Sequence, residues 1–337
     1  MQTKLRRLVF LLSLIIICGA AGDARAAAIY GITILNQPVL AVFGTGAFTV
    51  LDYDGDRKTD YAVYRPGATA GAAGTAFVQR STNNSFFAQA FGTADTDIQT
   101  PGDFDGDTRT DIAVWRSTNG TFYVLRSSDN IVVSVPFGMM NDEPVARDYN
   151  GDGRTDYAVV RRQNGALTWY VLTTSNNAFS ATRFGADTDV VAPGDYDGDG
   201  RSDLGVFRGA FNNPATFYVQ GSASGFRSVQ FGLGSDLIVP GDYDGDNKTD
   251  FAVLRTQGTT YTWFILRSVN NTTYGVQFGG KPQFSAQGDY DGDGRTDIAT
   301  FNPLNGTFYV IQSLNGAVTQ RRFGQNGDFP IAAFDTH

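Results

Sequence analysis

The acidic nonapeptide Asp52-Tyr-Asp-Gly-Asp-Arg-Lys-Thr-Asp60 recurs five more times without a gap, beginning at Asp103, Asp148, Asp195, Asp242 and Asp289. The steps are 51, 45, 47, 47 and 47 residues. A second marker, Phe-Gly, falls at Phe43, Phe91, Phe137, Phe184, Phe231, Phe278 and Phe323, with steps of 48, 46, 47, 47, 47 and 45. Two markers on one period mean that the chain is built from copies of one unit. A unit this short buries its apolar face only against its neighbours.

Each unit reads as four short strands. In the fourth, residues 189–193 lead into the acidic loop, 204–208 follow it, 216–220 come next and 227–231 close the unit. Val, Phe, Tyr and Leu fill these runs, and Gly, Asn, Ser and Asp separate them. No segment sustains an apolar period of 3.6. Four strands in about 47 residues, repeated, predict an all-β propeller of four-stranded blades; a β-solenoid is the weaker alternative. Seven Phe-Gly markers against six complete loops predict seven blades, with six as the alternative. Residues 328–335 read as a seventh first strand, and 30–35 with 39–43 as a unit's last two. The N- and C-terminal strands would then share one blade, closing the ring and removing its open edge.

The first 26 residues read as an export signal. Lys4, Arg6 and Arg7 precede the apolar run from Leu8 to Cys18, and Ala24-Arg25-Ala26 fits a signal-peptidase site. The apolar run is short for a membrane span. The expected organisation is a cleaved signal (1–26) and a single propeller domain (27–337), secreted or periplasmic, with no membrane span after cleavage. Cleavage removes four basic residues and one acid, taking the net charge from −8 to −11, and it removes the chain's one cysteine. Disulfides, a zinc site and a Cys–His or Ser–His catalytic set are excluded by one Cys and one His, His337. The acidic balance argues against nucleic acid.

The loops carry the chemistry. Asp stands at position 1, Asp or Asn at 3, Gly at 4, Asp at 5 and Asp at 9. The candidate metal ligands are Asp52, Asp54, Asp56 and Asp60; Asp103, Asp105, Asp107 and Asp111; Asp148, Asn150, Asp152 and Asp156; Asp195, Asp197, Asp199 and Asp203; Asp242, Asp244, Asp246 and Asp250; and Asp289, Asp291, Asp293 and Asp297. Alternate side chains of a tight loop converge on one point. Four oxygen side chains, a carbonyl and water make the hard-oxygen cage that Ca²⁺ takes and Mg²⁺ takes less well. The expectation is up to six calcium ions. An EF-hand would need Glu at position 12, where Val63, Val114, Val159, Val206, Val253 and Thr300 stand. Position 6 calls for a left-handed backbone. Gly153, Gly200, Gly294 and Asn247 suit it, whereas Arg57 and β-branched Thr108 do not, so the first two sites are expected to be weaker or differently shaped.

This loop, flanked by Phe-Gly and Gly-Asp, resembles the FG-GAP (VCBS-type) repeat, which builds the seven-bladed propeller of integrin α-subunits and of many secreted bacterial proteins. The resemblance covers about residues 38–337. It implies a propeller and calcium at the six loops, and leaves the ligand open. The family's Gly-Ala-Pro element is not literal here: Pro101-Gly102-Asp103, Pro193-Gly194-Asp195 and Pro240-Gly241-Asp242 stand in its place.

Arg65, Arg116, Arg161, Arg208 and Arg255 recur at one position after the loop. They read as blade packing and carboxylate pairing, with an anion-binding ring as the alternative. Trp115, Trp169 and Trp263 read as core, with sugar stacking as the alternative. The irregular loops 66–74 and 209–214 depart from the repeat, and such loops are where partner specificity sits. The favoured function is a non-enzymatic extracellular binding module, monomeric, for a protein or polysaccharide, with calcium as structural support. The alternative is a secreted polysaccharide-active lyase or hydrolase, for which Glu143 is the lone carboxylate candidate.

Overall fold

A computed structural model describes residues 51–331 and two short strands, Thr33–Ile34 and Gln37–Pro38. The described residues form six four-stranded antiparallel sheets and no helix. Blade 2 runs Asp97–Gln99, Ile112–Arg116, Thr121–Leu125 and Val132–Pro136 from the axis outward. Blade 3 is Glu143–Pro144, Tyr157–Gln163, Ala166–Leu172 and Phe179–Arg183. Blade 4 is Val190–Val191, Leu204–Arg208, Pro214–Gly221 and Gly225–Leu233. Blade 5 is Leu237–Ile238, Phe251–Gln257, Thr260–Leu266 and Thr273–Gly280. Blade 6 is Phe284–Ser285, Ile298–Asn302, Thr307–Ile311 and Val318–Arg322. Blade 1 takes its first strand from the other end of the chain: Phe329–Pro330, then Tyr61–Arg65, Ala73–Gln79 and Phe86–Thr93.

The propeller therefore has six blades, and the expectation of seven is corrected. The stretch read as opening a seventh blade is the missing innermost strand of the first: Phe329 pairs with Tyr64 and Pro330 with Val63. Phe-Gly marks the outer-strand end that precedes a crossover, so it does not count blades; the acidic loops do. The two ends of the stretch 51–331 meet in blade 1. Ile331 N–H donates to Ala62 O at 2.9 Å, and Asp60 N–H donates to Leu51 O at 2.7 Å, continuing one innermost strand with two pieces of chain. Of the N-terminal strands expected in the shared blade, Thr33–Ile34 and Gln37–Pro38 pair with each other in a sheet of their own. The remainder of that stretch, residues 332–337 and the export signal lie outside the described residues.

Apolar contact between blades makes the core. Second strands such as Ile112–Arg116 are buried on both faces because they lie between neighbouring sheets. The aromatic at loop position 2 stacks on the residue after position 9 of the next blade: Phe104 on Tyr157 (5.2 Å), Tyr196 on Phe251 (4.8 Å) and, across the closure, Tyr290 on Tyr61 (4.9 Å). Trp115, Trp169 and Trp263 are fully buried. Each donates its indole N–H to the carbonyl of a Phe-Gly phenylalanine: Phe137, Phe184 and Phe278. The core reading of the tryptophans holds. No helix among the described residues is long and apolar enough to cross a membrane.

Candidate metal centre

Five of the acidic loops connect the first and second strands of their blades, the first loop leads into the second strand of blade 1, and all six touch one another around the axis. The N–H at position 8 of each loop donates to the position-1 carbonyl of the preceding one: Thr110 to Asp52, Thr155 to Asp103, Ser202 to Asp148, Thr249 to Asp195, Thr296 to Asp242 and Thr59 to Asp289. All six bonds span 2.6–2.7 Å, and the sixth closes the circle. Glycine precedes the position-1 aspartate in four loops because the next loop's threonine lies against it. A Cβ on Gly194 would stand 2.7 Å from the Thr249 hydroxyl, and one on Gly288 2.6 Å from that of Thr59.

Within a loop, the position-1 carboxylate organises the backbone. Asp52 Oδ1 accepts the N–H groups of Asp54, Gly55 and Asp56, and Oδ2 accepts that of Arg57 at 2.6 Å. The same fan recurs on Asp103, Asp148, Asp195, Asp242 and Asp289. Drawing so many N–H groups to one carboxylate winds the chain into two left-handed residues, the Gly at position 4 and the residue at 6. Arg57 (φ 67°) and Thr108 (φ 69°) adopt that conformation alongside Asn247 (φ 61°) and Gly200 (φ 80°). The first two loops thus share the backbone shape of the rest, and the expected difference in shape is corrected: the fan of hydrogen bonds outweighs a strain of about 1 kcal/mol or more.

The position-9 carboxylate ties the loop into its blade. Asp60 Oδ2 accepts Tyr53 N–H and its Oδ1 accepts Ser81 N–H from the turn between the third and fourth strands. The same bonds form at Asp111 with Ser127, Asp156 with Thr174, Asp203 with Ser222, Asp250 with Ser268 and Asp297 with Ser313. Burial pushes these carboxyls up, to about 7 for Asp60, Asp203, Asp250 and Asp297 and about 6 for Asp111 and Asp156. Burial also raises Asp52, Asp103, Asp148, Asp195 and Asp289, against the pull of their N–H fans.

Five loops bring three carboxylates within 4.8 Å of one another: Asp52, Asp54 and Asp60; Asp103, Asp105 and Asp111; Asp195, Asp197 and Asp199; Asp242, Asp244 and Asp246; and Asp289, Asp291 and Asp297. Each set could hold a metal ion. The donor atoms fit: Oδ1 of Asp54, Asp197 and Asp244 is buried with no hydrogen-bond partner, a costly state for a carboxylate oxygen that a cation would relieve. Asp56, Asp107 and Asp293 take hydroxyl donors from the turn serines Ser81, Ser127 and Ser313. Those serines were invisible to the sequence pattern because they follow position 1 by 29, 24 and 24 residues; aligning the turns rather than the loops would have found them.

At the opposite ends of the strands the recurring arginines form forks. Arg65 holds Asp328, Arg116 Asp97, Arg161 Asp142, Arg208 Asp189 and Arg255 Asp236, with Nε–Oδ1 distances of 2.6–2.9 Å. Each guanidinium lies over a ring of the third strand, such as Phe77 or Tyr218. The packing reading of the arginines holds. Glu143 accepts from Arg162 at 2.8 Å, and Arg162 also donates to the carbonyls of Asp187 and Asp189 in the crossover to blade 4.

Residues 148–206 match the FG-GAP-like repeat and residues 283–318 the FG-GAP repeat. No curated protein sequence matches the chain. Among solved structures, an Agrocybe aegerita lectin that recognises non-reducing terminal N-acetylglucosamine is similar at 13% identity over 79% of this chain and 90% of that chain, TM-score 0.49. A mutant of AofleA from Arthrobotrys oligospora is similar at 10% identity over 82% and 90%, TM-score 0.49. A fungal alcohol oxidase of the AA5 family, in complex with copper, is similar at 12% identity over 80% and 63%, TM-score 0.43. At such identities and scores these likenesses carry nothing about a ligand or an activity.

Proposed function

We propose that this chain, whose residues 148–206 and 283–318 match FG-GAP-type repeats, is a secreted, calcium-stabilised binding module on a propeller fold. The observation that carries the calcium reading is the set of five three-carboxylate cages, three of them with a buried, unpartnered oxygen at position 3, on Asp54, Asp197 and Asp244. An irregular cage of carboxylates, with room for a carbonyl and water, suits the six to eight oxygens of Ca²⁺ better than the strict octahedron of Mg²⁺. Asp54, Asp105, Asp197, Asp244 and Asp291 would hold the ion with their position-1 partners. The ion would supply fixed positive charge and no reaction. At tenfold excess over its Kd, each ion adds about 1.4 kcal/mol to the folded state.

The binding role rests on the face opposite the cages, where loops leave the repeat pattern. Phe211 in the fourth blade's irregular loop is 66% exposed, and Met140 in the crossover to blade 3 is 62% exposed. Packing of the ring requires neither, and exposed apolar side chains in loops that leave the repeat pattern favour a partner. The partner we propose is an extracellular protein or polysaccharide. We read the module as non-enzymatic and monomeric: Glu143 and the strand-start aspartates are held by arginines. Secretion rests on the N-terminal sequence and predicts a mature protein beginning at Ala27. Screening the mature protein on protein and glycan arrays in millimolar calcium should give ligands lost in Phe211→Ala and Met140→Ala. A polysaccharide depolymerised by the wild type and spared by Glu143→Gln would replace this reading with the enzymatic one.

A further inference from the structure

We infer that the third loop supplies its own internal positive end in place of a metal ion, so that the ring takes five calcium ions and not six. The inference rests on the calcium reading of the other loops. Position 3 is Asp in five loops and Asn150 in the third. Asn150 Oδ1 accepts the N–H of Asp152 at 2.9 Å, and Asn150 Nδ2 donates to Asp152 Oδ2 at 3.0 Å and to Ser175 Oγ at 3.4 Å. The two contacts fix the amide's direction: turned over, it would set its oxygen against a carboxylate and its NH₂ against an N–H. An amide proton, with its partial positive charge, therefore faces the carboxylate that a cation would otherwise neutralise.

Two further observations single out this loop. The turn hydroxyls of Ser81, Ser127, Ser222, Ser268 and Ser313 donate to the position-5 aspartate of their own loops. In blade 3 the corresponding Thr174 hydroxyl goes to Asp156 instead, at 3.3 Å, and the position-5 carboxylate of Asp152 is held by Asn150 and by Ser175. Finally, the residue before Asp148 is Arg147, fully buried, where loops 2, 4, 5 and 6 have Gly. Its neighbour across the inter-loop bond is Ser202, the smaller residue, where every other loop has Thr.

The test is an ion count. Native mass spectrometry and calorimetric titration of the mature protein with calcium chloride should give five ions for the wild type. Asn150→Asp should restore the carboxylate, remove the donor and raise the count to six. Asp54→Asn, which copies the exception into the first loop, should lower it to four. Six ions in the wild type, or an unchanged five in Asn150→Asp, would overturn the inference while leaving the calcium reading intact. No bound calcium in any of the three proteins would instead overturn the calcium reading and this inference with it. Should Asn150→Asp fail to fold, the wild-type count and Asp54→Asn still decide.

Discussion

Blades 1 and 4 hold the same four strands in the same order, yet one is covalently continuous and the other is not. In blade 4 the innermost strand, Val190–Val191, runs directly into Gly194 and the loop. In blade 1 the equivalent strand is Phe329–Pro330, and the loop is entered from elsewhere in the sequence, through Leu51. The contacts are nevertheless alike. Asp189 and Asp328 are both fully buried, each is gripped by an arginine fork, and each accepts the N–H of a turn residue, Ala186 or Gln325. One unit thus completes itself either locally or from 263 residues away, and only the second way makes a ring out of a row.

The comparison is broken most severely by removing residues 328–337. Blade 1 would lose a strand and expose an edge, and the melting temperature should fall on the order of 10 °C or more. A truncated protein melting within a few degrees of the full-length one would show that the closure carries little stability.

Calcium removal should come next. EDTA should lower the melting temperature strongly, and Mg²⁺ should restore little of it; identical melts in EDTA, Ca²⁺ and Mg²⁺ would reduce the cages to acidic turns. The pH dependence should change sign between the two states. The position-9 carboxyls are raised by burial to about 6–7, so without metal the folded state prefers them protonated. That stability is present at low pH and is lost as pH rises from the unfolded value near 4 through about 7. In EDTA, lowering the pH from 8 to 5 should therefore raise the melting temperature. In calcium the same change expels ions and should lower it. Parallel curves in the two buffers would contradict the assignment of these groups to the cages.

A sharper test compares the two forks. Asp328→Ala and Asp189→Ala each leave a partly exposed arginine, at a cost of about 2 kcal/mol after allowing for that exposure. Blade 4 stays continuous, so its loss remains local. Blade 1 has only its hydrogen bonds to hold the closing strand, so amide exchange at Ile331 should accelerate much more in Asp328→Ala than exchange at Ala192 does in Asp189→Ala. Equal acceleration would mean that chain continuity does not matter at this position. The smallest effect concerns Thr108. Because its left-handed backbone belongs to the folded loop itself, Thr108→Gly should raise stability by at most about 1 kcal/mol, read as a shift of a few degrees in a thermal melt.

Much of this molecule was legible residue by residue. The loop period located the six acidic loops. The requirement for a left-handed residue at position 6 was legible, while the second left-handed residue, the Gly at position 4, emerged from the structure, and the recurring Arg and Trp positions proved to be forks and core. These are short-range matters, in which a carboxylate bends the few residues after it or an alternating run forms a strand. What a local pattern does not contain is the partner of a strand end. Asp328-Phe-Pro-Ile331 reads equally well as the start of a seventh blade or the end of the first, and only pairing with Tyr61–Arg65 decides between them. Likewise Asn150 and Asp look interchangeable as oxygen donors until Asp152 and Ser175 fix which end of the amide faces the carboxylate. The sequence by itself determined the blade and its acidic loop, because hydrogen bonds within a few residues build them. The tertiary structure alone decided how many blades close the ring and which loop answers its own charge, because both depend on groups that meet only after the chain has come full circle or folded a turn back onto a loop.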